Sequence, residues 1–320
     1  MWLRAAAGKE SYVMFAVREA AGAGVSVGAV GREEILRISA FKNFGRAMRA
    51  PAALQTATPM EVIIRDSAEA GCVLGAKILA SVIREKPAAV IGLATGRTPL
   101  RLYQELIRLH REDGLDFSQV TTFNLDEYVG LAGTHVQSYR YFMQENLFRH
   151  INIDLTRTHV PNGIAIDLHV ECRAYEEKII AAGGIDLQLL GLGRNGHIGF
   201  NEPTGSLRSR TWIKILSEQT LRDNSDVFGS MDLMPKHALT MGVGTILDAR
   251  RCLLLAFGPA KVRAVEHMVE GPLAAICPGS ALQLHPRATV ILDENSAAGL
   301  RYADHYRWVD RNKFAWQRHG

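Results

Sequence analysis

Short apolar runs alternate with amphipathic stretches along most of this chain, and the alternation limits the folds that it can adopt. The first clean predicted strand spans residues 61–65, and later predicted strands end near residues 93, 127, 190, 257 and 292. The stretches between these strands have apolar residues at helical spacing, for example Leu74, Ile78 and Val82. Strands that alternate with helices build parallel sheets covered on both faces. The sequence therefore predicts a single α/β domain: a Rossmann-like, doubly wound, mostly parallel sheet of about seven strands with helices on both faces.

The limits of several elements can be predicted from capping and spacing. Asp66 is the predicted N-cap of the first helix, which runs to about residue 85. Residues 211–216 are predicted to form an added strand. Further helices are predicted over residues 99–112, 138–149, 168–182, 237–247 and 260–270.

Residues 1–59 differ in composition from the rest of the chain. They are rich in alanine, glycine and arginine and show no sustained strand-like alternation. Met60 immediately precedes the first clean strand. We therefore expect residues 1–59 to be an atypical N-terminal extension, disordered or artefactual, and residues 60–320 to be the functional domain.

The formal net charge of +4 does not indicate a nucleic-acid-binding protein. Of the 37 basic and 33 acidic residues, eight and four lie in residues 1–59, so the remainder is formally neutral. We expect no nucleic-acid partner, because no basic stripe is left to follow a phosphate backbone. No apolar run reaches the ~18 residues of a membrane span, so we expect a soluble protein. The cysteines lack metal-binding spacing and are expected to be reduced thiols of a cytoplasmic protein: Cys72, Cys172, Cys252 and Cys277.

A glycine-rich loop, residues 191–203, follows an apolar run and so lies at the carboxyl end of a strand, where α/β sheets bind ligands. It begins with the dinucleotide fingerprint G-x-G-x-x-G, which requires a helix after the third glycine. The residues after Gly196, including Pro203, prevent such a helix. We favour a catalytic loop that presents His197 and Glu202 as a proton relay. A structural hydrogen bond that braces the turn is the alternative, and spacing alone does not separate the two.

A second loop carries residues suited to binding a phosphate group. The loop follows a predicted strand and consists of Thr95, Gly96, Arg97 and Thr98. Pro99 begins the next predicted helix, and Thr98 is its predicted N-cap. The free amides at the start of this helix would attract an anion. An ordinary capped turn is the alternative.

Two more loops carry charged residues at the ends of predicted strands. Asp126 and Glu127 could supply a general base, which needs no metal ion if the carbonyl oxygen is stabilised elsewhere. A solvated loop or an N-cap is the alternative for this acidic pair. Lys261 lies in the first turn of a helix, which is unfavourable for a cation unless an anion binds nearby. A surface lysine is the alternative there.

Together these loops resemble the glucosamine-6-phosphate deaminase family. The resemblance runs in order from about residue 60 to residue 293, most of the chain. Its most specific segments are Phe-Asn-Leu-Asp-Glu-Tyr, from Phe123, and Gly-His-Ile-Gly-Phe-Asn-Glu-Pro, from Gly196. The motifs that carry it lie at residues 93–99, 123–131, 191–203, 238–245 and 284–286.

The resemblance implies that residues 60–320 convert glucosamine 6-phosphate and water into fructose 6-phosphate and ammonia in amino-sugar catabolism, without a cofactor or metal. Asp126 would move the proton from C2 to C1, and His197 would open the pyranose ring. Glu202 and Asn195 would orient this histidine. The 6-phosphate would be bound by Thr95, Gly96, Arg97, Thr98 and Lys261.

Three positions depart from the family's pattern. Asn195 stands where some members carry aspartate, which leaves Glu202 as the main carboxylate beside the histidine. Asp226 stands where members often carry a phosphate-binding arginine, and Arg222 is the candidate replacement. Trp212 stands where allosterically regulated members carry arginine, so we expect weak or absent activation by N-acetylglucosamine 6-phosphate.

Alternative functions fit parts of the same pattern. One is a deaminase or isomerase of another amino-sugar phosphate, such as galactosamine 6-phosphate. A second is a 6-phosphogluconolactonase-like hydrolase, although that family follows the histidine with a Thr-Ala-Ser-like segment where this chain has residues 198–202, Ile-Gly-Phe-Asn-Glu. A non-enzymatic sugar-phosphate sensor domain is a third, although residues 1–59 contain no convincing helix-turn-helix. The sequence is compatible with a homo-oligomer but does not fix the oligomeric state.

Overall fold

The computed structural model describes residues 60–314 and 317–319, so the expectations for residues 1–59 lie outside the described part of the chain. The described strands are β1 (Glu61–Arg65), β2 (Val90–Leu93), β3 (Thr121–Asn124), β4 (Asp126–Tyr128), β5 (Thr158–His159), β6 (Leu187–Gly191), β7 (Trp212–Ile215), β8 (His237–Thr240), β9 (Cys252–Ala256) and β10 (Ala288–Asp293). The α-helices are α1 (Ala68–Glu85), α2 (Leu100–Asp113), α3 (Tyr139–Asn146), α4 (Leu168–Ala181), α5 (Glu218–Asn224), α6 (Val243–Leu247), α7 (Val262–Val269) and α8 (Ala303–Arg311).

Seven parallel strands form the central sheet in the order β1-β10-β9-β6-β2-β3-β5. The strand order reverses between β2 and β6, because the chain runs outward from β2 through β3 to β5 and then outward from β6 through β9 to β10. Right-handed crossovers place the helices of these two halves on opposite faces. The predicted doubly wound α/β sheet is therefore confirmed, and its ligand crevice lies outside the carboxyl ends of β2 and β6.

A second, antiparallel sheet has the order β4-β8-β7. Leu125 joins the two sheets, since its N–H donates to Leu93 O at 3.1 Å and its carbonyl accepts from Met241 N at 2.7 Å. The strand predicted to end at Glu127 is therefore two strands in two sheets. The helix predicted over residues 237–247 is wrong in its first half, because that half is β8 and pairs with both β4 and β7.

The strands of the central sheet differ from those predicted, although their number agrees. The strand predicted at residues 211–216 is β7 and belongs to the second sheet. The remaining place in the central sheet is taken by β5, which pairs with β3 through Thr158 and His159. A strand of two residues has no periodicity that a sequence could reveal.

Two predicted helix caps are wrong. Ser67, not Asp66, caps α1, since its hydroxyl accepts from Ala70 N at 3.1 Å. At α2 the carbonyl of Pro99 accepts the first helical hydrogen bond, so Pro99 rather than Thr98 is the N-cap, and no side chain among the described residues caps this helix. Both helices begin one residue later than the capping signals indicated.

Two apolar cores support these sheets. The main core fills the space between the central sheet and its helices. Burying one large apolar side chain stabilises a fold by about 1.5–3 kcal/mol, so even a small second core can hold a three-stranded sheet. The second core consists of Tyr128, Phe200, Leu216, Leu221, Met234 and Ala238.

No helix in the described residues is long and apolar enough to span a membrane.

Candidate active site

The glycine-rich loop after β6 folds as tight turns without a helix, in keeping with the argument against a dinucleotide site. A Cβ atom at Gly193 would lie 2.3 Å from Nδ1 of His197, so the histidine ring lies directly against the backbone there. Gly196 has φ +85°, and a Cβ atom there would lie 2.6 Å from Sγ of Cys277. Gly193 therefore leaves room for the histidine ring, and Gly196 lets the loop pack against Cys277.

His197, Asn195 and Glu202 form one hydrogen-bonded chain. Nδ1 of His197 lies 2.7 Å from Oδ1 of Asn195 and 3.6 Å from Oε2 of Glu202. The amide nitrogen of Asn195 donates to that same Glu202 oxygen at 2.7 Å, so the amide oxygen is the acceptor for the histidine. Nδ1 then carries the proton, and Nε2 is the basic atom. The structure thus brings together all three residues that the sequence placed in one relay.

The carboxylate of Glu202 is buried and accepts hydrogen bonds from several elements. Its Oε1 accepts from the hydroxyls of Ser217, at 3.0 Å, and Thr220, and its Oε2 accepts from Asn195. Burial raises the pKa of Glu202, but interactions with His197, Thr220 and Asn195 outweigh this effect and lower the pKa to about 2. Glu202 is therefore an anion at neutral pH, and it lies beside the imidazole ring of His197.

Asp126 begins β4 and is only 6% exposed. In the described part of the chain, no group donates a hydrogen bond to its carboxylate. Burial, followed by the neighbouring charge of Glu127, raises the pKa of Asp126 well above its usual range. Its Oδ2 lies 3.5 Å from the position that a Cβ atom on Gly199 would take, in the same loop as His197. A desolvated carboxylate of this kind is a strengthened base beside the histidine loop.

Glu127 has a structural role that separates it from Asp126. Its carboxylate accepts from the backbone N–H groups of Tyr128 at 2.8 Å, Tyr139 at 2.9 Å and Arg140 at 3.1 Å. Two of these amides open α3, so Glu127 serves as an additional cap for that helix. Burial raises the pKa of Glu127 to about 7 despite these three hydrogen bonds. The N-cap alternative thus holds for Glu127, and Asp126 is the carboxylate that faces the site.

The residues expected to bind phosphate lie at the carboxyl ends of nearby strands. Thr95, Gly96, Arg97 and Thr98 form the loop after β2, and Lys261 follows β9. The strand between β2 and β9 in the sheet is β6, which carries the histidine loop. The three loops therefore open onto one edge of the sheet.

Arg194 is a further cation at this edge, and sequence reasoning missed it. It donates to Oδ1 of Asp223 at 3.1 Å. Burial lowers the pKa of Lys261; the charge of Asp223 opposes this effect and that of Arg194 adds to it, so the three groups are neighbours. Arg222, the candidate replacement named from the sequence, pairs instead with Glu218 at 3.0 Å on the exposed face of α5. The side chain at position 226 lies outside the described part of the structure.

Asn201 and Trp212 brace the histidine loop through contacts that the sequence did not indicate. The amide nitrogen of Asn201 donates to the carbonyls of Ile198, at 2.9 Å, and Met241, at 2.7 Å. Nε1 of Trp212 donates to Oδ1 of the same asparagine at 3.2 Å. The polar character of Asn201 was visible in the sequence, but its partners come from β7 and the end of β8. No group of three or more His, Cys, Asp or Glu residues within the described chain could hold a metal ion.

Sequence comparisons agree with this arrangement. A sequence model of the family described as glucosamine-6-phosphate isomerases/6-phosphogluconolactonase matches residues 65–291. A glucosamine-6-phosphate deaminase of Hahella chejuensis is 57% identical over 250 residues, which cover 78% of this chain and 95% of that protein. Another, from an Arthrobacter species, is 52% identical over 258 residues, which cover 81% of this chain and 99% of that protein.

Solved structures show the same architecture. A structure described as a monomeric glucosamine-6-phosphate deaminase has a TM-score of 0.74 at 47% identity and covers 75% of this chain and 100% of its own. A 6-phosphogluconolactonase from Trypanosoma cruzi, with a TM-score of 0.61, 20% identity and coverage of 77% and 98%, shows the shared fold alone. The doubly wound sheet, with a buried carboxylate and a hydrogen-bonded histidine at the edge where such sheets bind ligands, is the architecture of an α/β enzyme. The chain belongs to the glucosamine-6-phosphate isomerase/6-phosphogluconolactonase family, which confirms the resemblance seen in its sequence.

Proposed function

We propose that this chain converts glucosamine 6-phosphate and water into fructose 6-phosphate and ammonia, in amino-sugar catabolism. Asp126 carries the proposal, because it is a buried carboxylate to which no described group donates a hydrogen bond, and it faces the loop of a histidine held by Asn195 and Glu202. A base and a separate proton relay are what isomerisation of a ring-closed sugar requires. The relatives named for this activity, at 57% and 52% identity, support the proposal.

The first step opens the pyranose ring. Nε2 of His197 accepts the proton of the C1 hydroxyl, and the imidazolium then protonates the ring oxygen as the bond from C1 to that oxygen breaks. Glu202 stabilises the transient positive charge through Asn195, which holds the ring in one tautomer. The product of this step is the open-chain aldehyde.

The second step moves a proton between adjacent carbons. Asp126 removes the C2 proton and delivers it to C1, while a proton from the substrate's ammonium group ends on the C1 oxygen. The same carboxylate serves both carbons because they are adjacent on one face of a cis-enolamine. Water then adds to the resulting C2 iminium, and ammonia leaves. The substrate's ammonium charge lowers the pKa of Asp126 on binding, so the bound substrate favours the ionised base.

The 6-phosphate is proposed to bind the amides of the loop after β2 together with Lys261 and Arg194. Charge-assisted hydrogen bonds from a lysine and an arginine suit a phosphate dianion. Burial of Lys261, which lowers its pKa, is the kind of cost that a bound anion offsets. Arg194 would then supply the charge that other members carry at the position of Asp226.

Replacing Arg194 by glutamine is expected to raise KM for glucosamine 6-phosphate by roughly 10- to 100-fold with little change in kcat. The reason is that a phosphate contact holds the ground state and the transition state equally. Arg222→Gln removes the same charge from an exposed helix face and is expected to change KM by less than about twofold. Steady-state ammonia release measures both variants. A larger rise in KM for Arg222→Gln than for Arg194→Gln would show that Arg222, not Arg194, contacts the phosphate.

Domain limits, cellular location and regulation are also part of the proposed function. Residues 60–320 are proposed as the catalytic domain, with residues 1–59 outside it, since the family match begins at residue 65. The enzyme is proposed to act in the cytoplasm, and assembly into a homo-oligomer stays a prediction. Trp212 donates inward to Asn201, which supports weak or absent activation by N-acetylglucosamine 6-phosphate.

Activity assays on three substrates test the proposed reaction. Glucosamine 6-phosphate is expected to yield ammonia and fructose 6-phosphate in equal amounts, whereas 6-phosphogluconolactone is expected to release no acid above the uncatalysed rate. Faster ammonia release from galactosamine 6-phosphate than from glucosamine 6-phosphate would identify galactosamine 6-phosphate as the substrate. No ammonia from either amino sugar would defeat it.

A further inference from the structure

A second pocket, of about 260 Å³, lies between α3, β5 and α4. Three basic side chains line it, Arg140, His159 and Lys178, together with Glu127 and the backbone of residues 160–163. We propose that this pocket binds a small oxyanion, such as the phosphate group of a metabolite. The inference is independent of the reaction assigned to the active site.

Arg140 and Lys178 bring positive charge to this pocket. Among the described residues, no carboxylate forms an ion pair with Arg140, His159 or Lys178. Arg140 instead donates to the carbonyl and hydroxyl oxygens of Thr158, at 3.1 Å and 2.6 Å. The carboxylate of Glu127 is occupied by backbone amides. The partly buried guanidinium group of Arg140 therefore has no ion-pair partner among the described residues, which is unfavourable, and a bound oxyanion would offset that penalty.

Two of the three basic groups, Arg140 and His159, are held in place before any ligand binds. The guanidinium carbon of Arg140 lies 5.7 Å from the ring centroid of Phe148, a cation–π contact. The ring of His159 stacks on Phe123, with centroids 4.6 Å apart and an interplanar angle of 25°. Lys178 lines the pocket from α4 and is exposed. Fixed donors that converge on one cavity are the arrangement that binds oxyanions tightly.

The three basic groups also act on one another. Burial lowers the pKa of His159, and the charges of Lys178 and Arg140 lower it further. A bound anion would reverse the second effect and raise the pKa of the imidazole. The pKa of His159 therefore reports whether an anion occupies the pocket.

This pocket is distinct from the phosphate site proposed around Lys261. Glu127 lines the pocket, whereas its neighbour Asp126 faces the histidine loop, because successive side chains of β4 point to opposite faces. The two anion sites therefore lie on opposite sides of this strand. Each can be removed without the other.

The test follows the ring signals of His159 by NMR in the full chain, with inorganic phosphate as the probe and sodium chloride at equal ionic strength as the reference. His159→Gln assigns the signals. Phosphate is expected to shift them saturably and to raise the pKa of His159. Lys178→Gln is expected to weaken this binding about tenfold, since it removes one charge-assisted contact. The exposed position of this lysine lets the variant fold normally.

Two matched variants distinguish binding in this pocket from a general charge effect and from binding at the active site. Lys77→Gln removes an exposed lysine from α1, outside the pocket, and Lys261→Gln removes the cation of the other site; neither is expected to change the His159 response. No saturable shift would overturn the proposal. Equal weakening by Lys77→Gln would show a general charge effect, and loss of the shift in Lys261→Gln would place the phosphate at the active site; either result also overturns it.

Discussion

Asp126→Asn is expected to lower kcat for ammonia release by roughly 10²–10⁴-fold, the range that a positioned general base contributes. Asparagine matches aspartate in size but cannot accept the C2 proton. The change leaves the loop after β2, Lys261 and Arg194 in place, so KM is expected to rise only by the lost attraction between the carboxylate and the substrate's ammonium group. Steady-state kinetics with purified variant and wild type measure both constants. A wild-type kcat would remove this role from Asp126 and leave the family membership untouched.

The same substitution is expected to leave the fold equally stable or more stable. The folded-state pKa of Asp126 lies above its ordinary value, so the folded protein disfavours the ionised form. This cost is absent below the unfolded-state pKa, about 3.9, and grows as pH rises toward the folded-state pKa. Asparagine carries no charge at any pH. The Tm of Asp126→Asn is therefore expected to match wild type near pH 4 and to exceed it at pH 8, as measured by thermal unfolding.

Glu127→Gln is the matched control for that stability effect. Its amide nitrogen cannot accept from a backbone N–H, so one of the three hydrogen bonds that Glu127 accepts is lost. Leaving a buried donor unsatisfied costs about 1–3 kcal/mol, so near pH 4, where the raised pKa of Glu127 adds almost no charge cost to the wild type, this variant is expected to unfold at a lower temperature. A large loss of Tm in Asp126→Asn would contradict the finding that no described group hydrogen-bonds to its carboxylate.

The fold could be predicted where a segment carries its own periodicity. α1 and the buried strands β6, β9 and β10 were predicted within a few residues, because their apolar spacing is set by burial on the sheet. β8 was predicted as a helix because Ala238 and Leu239 fit either structure, and pairing with β4 and β7 decided between them. Leu125 divides one apolar run between two sheets, which no local signal encodes.

The active site could be predicted in its chemistry but not in its surroundings. Asp126 and His197 were found because they follow strands whose carboxyl ends meet at one edge. The hydroxyls of Ser217 and Thr220 that fix Glu202 come from a helix absent from the prediction, α5, and its cap. Arg194 lies in the glycine-rich loop itself, but its significance depends on Lys261, which the pairing of β6 with β9 brings alongside.

His197→Gln is expected to lower kcat on glucosamine 6-phosphate by roughly 10²–10⁴-fold, because glutamine accepts a hydrogen bond but cannot carry a proton between two oxygens. The proton transfer at C2 should stay intact, since Asp126 is unchanged. An analogue methylated at O4 and O5 cannot cyclise and therefore needs no ring opening. Its turnover by the variant is expected to fall by less than about tenfold, as only neighbouring contacts are lost. Equal losses on both substrates would contradict a ring-opening role.

An isotope effect provides a second test of the order of events. When ring opening limits the rate, replacing the C2 proton by deuterium should no longer slow the reaction, so His197→Gln is expected to lose any C2 isotope effect that the wild type shows. Spontaneous ring opening then sets a residual rate that stops rising with enzyme concentration. Ser217→Ala removes one of the donors to Glu202 and leaves the relay in place, so it should keep the isotope effect and lose about tenfold or less in kcat. A retained isotope effect in His197→Gln would instead show that the histidine takes part in the proton transfer at C2. Asp126 would then not be the sole base for that step.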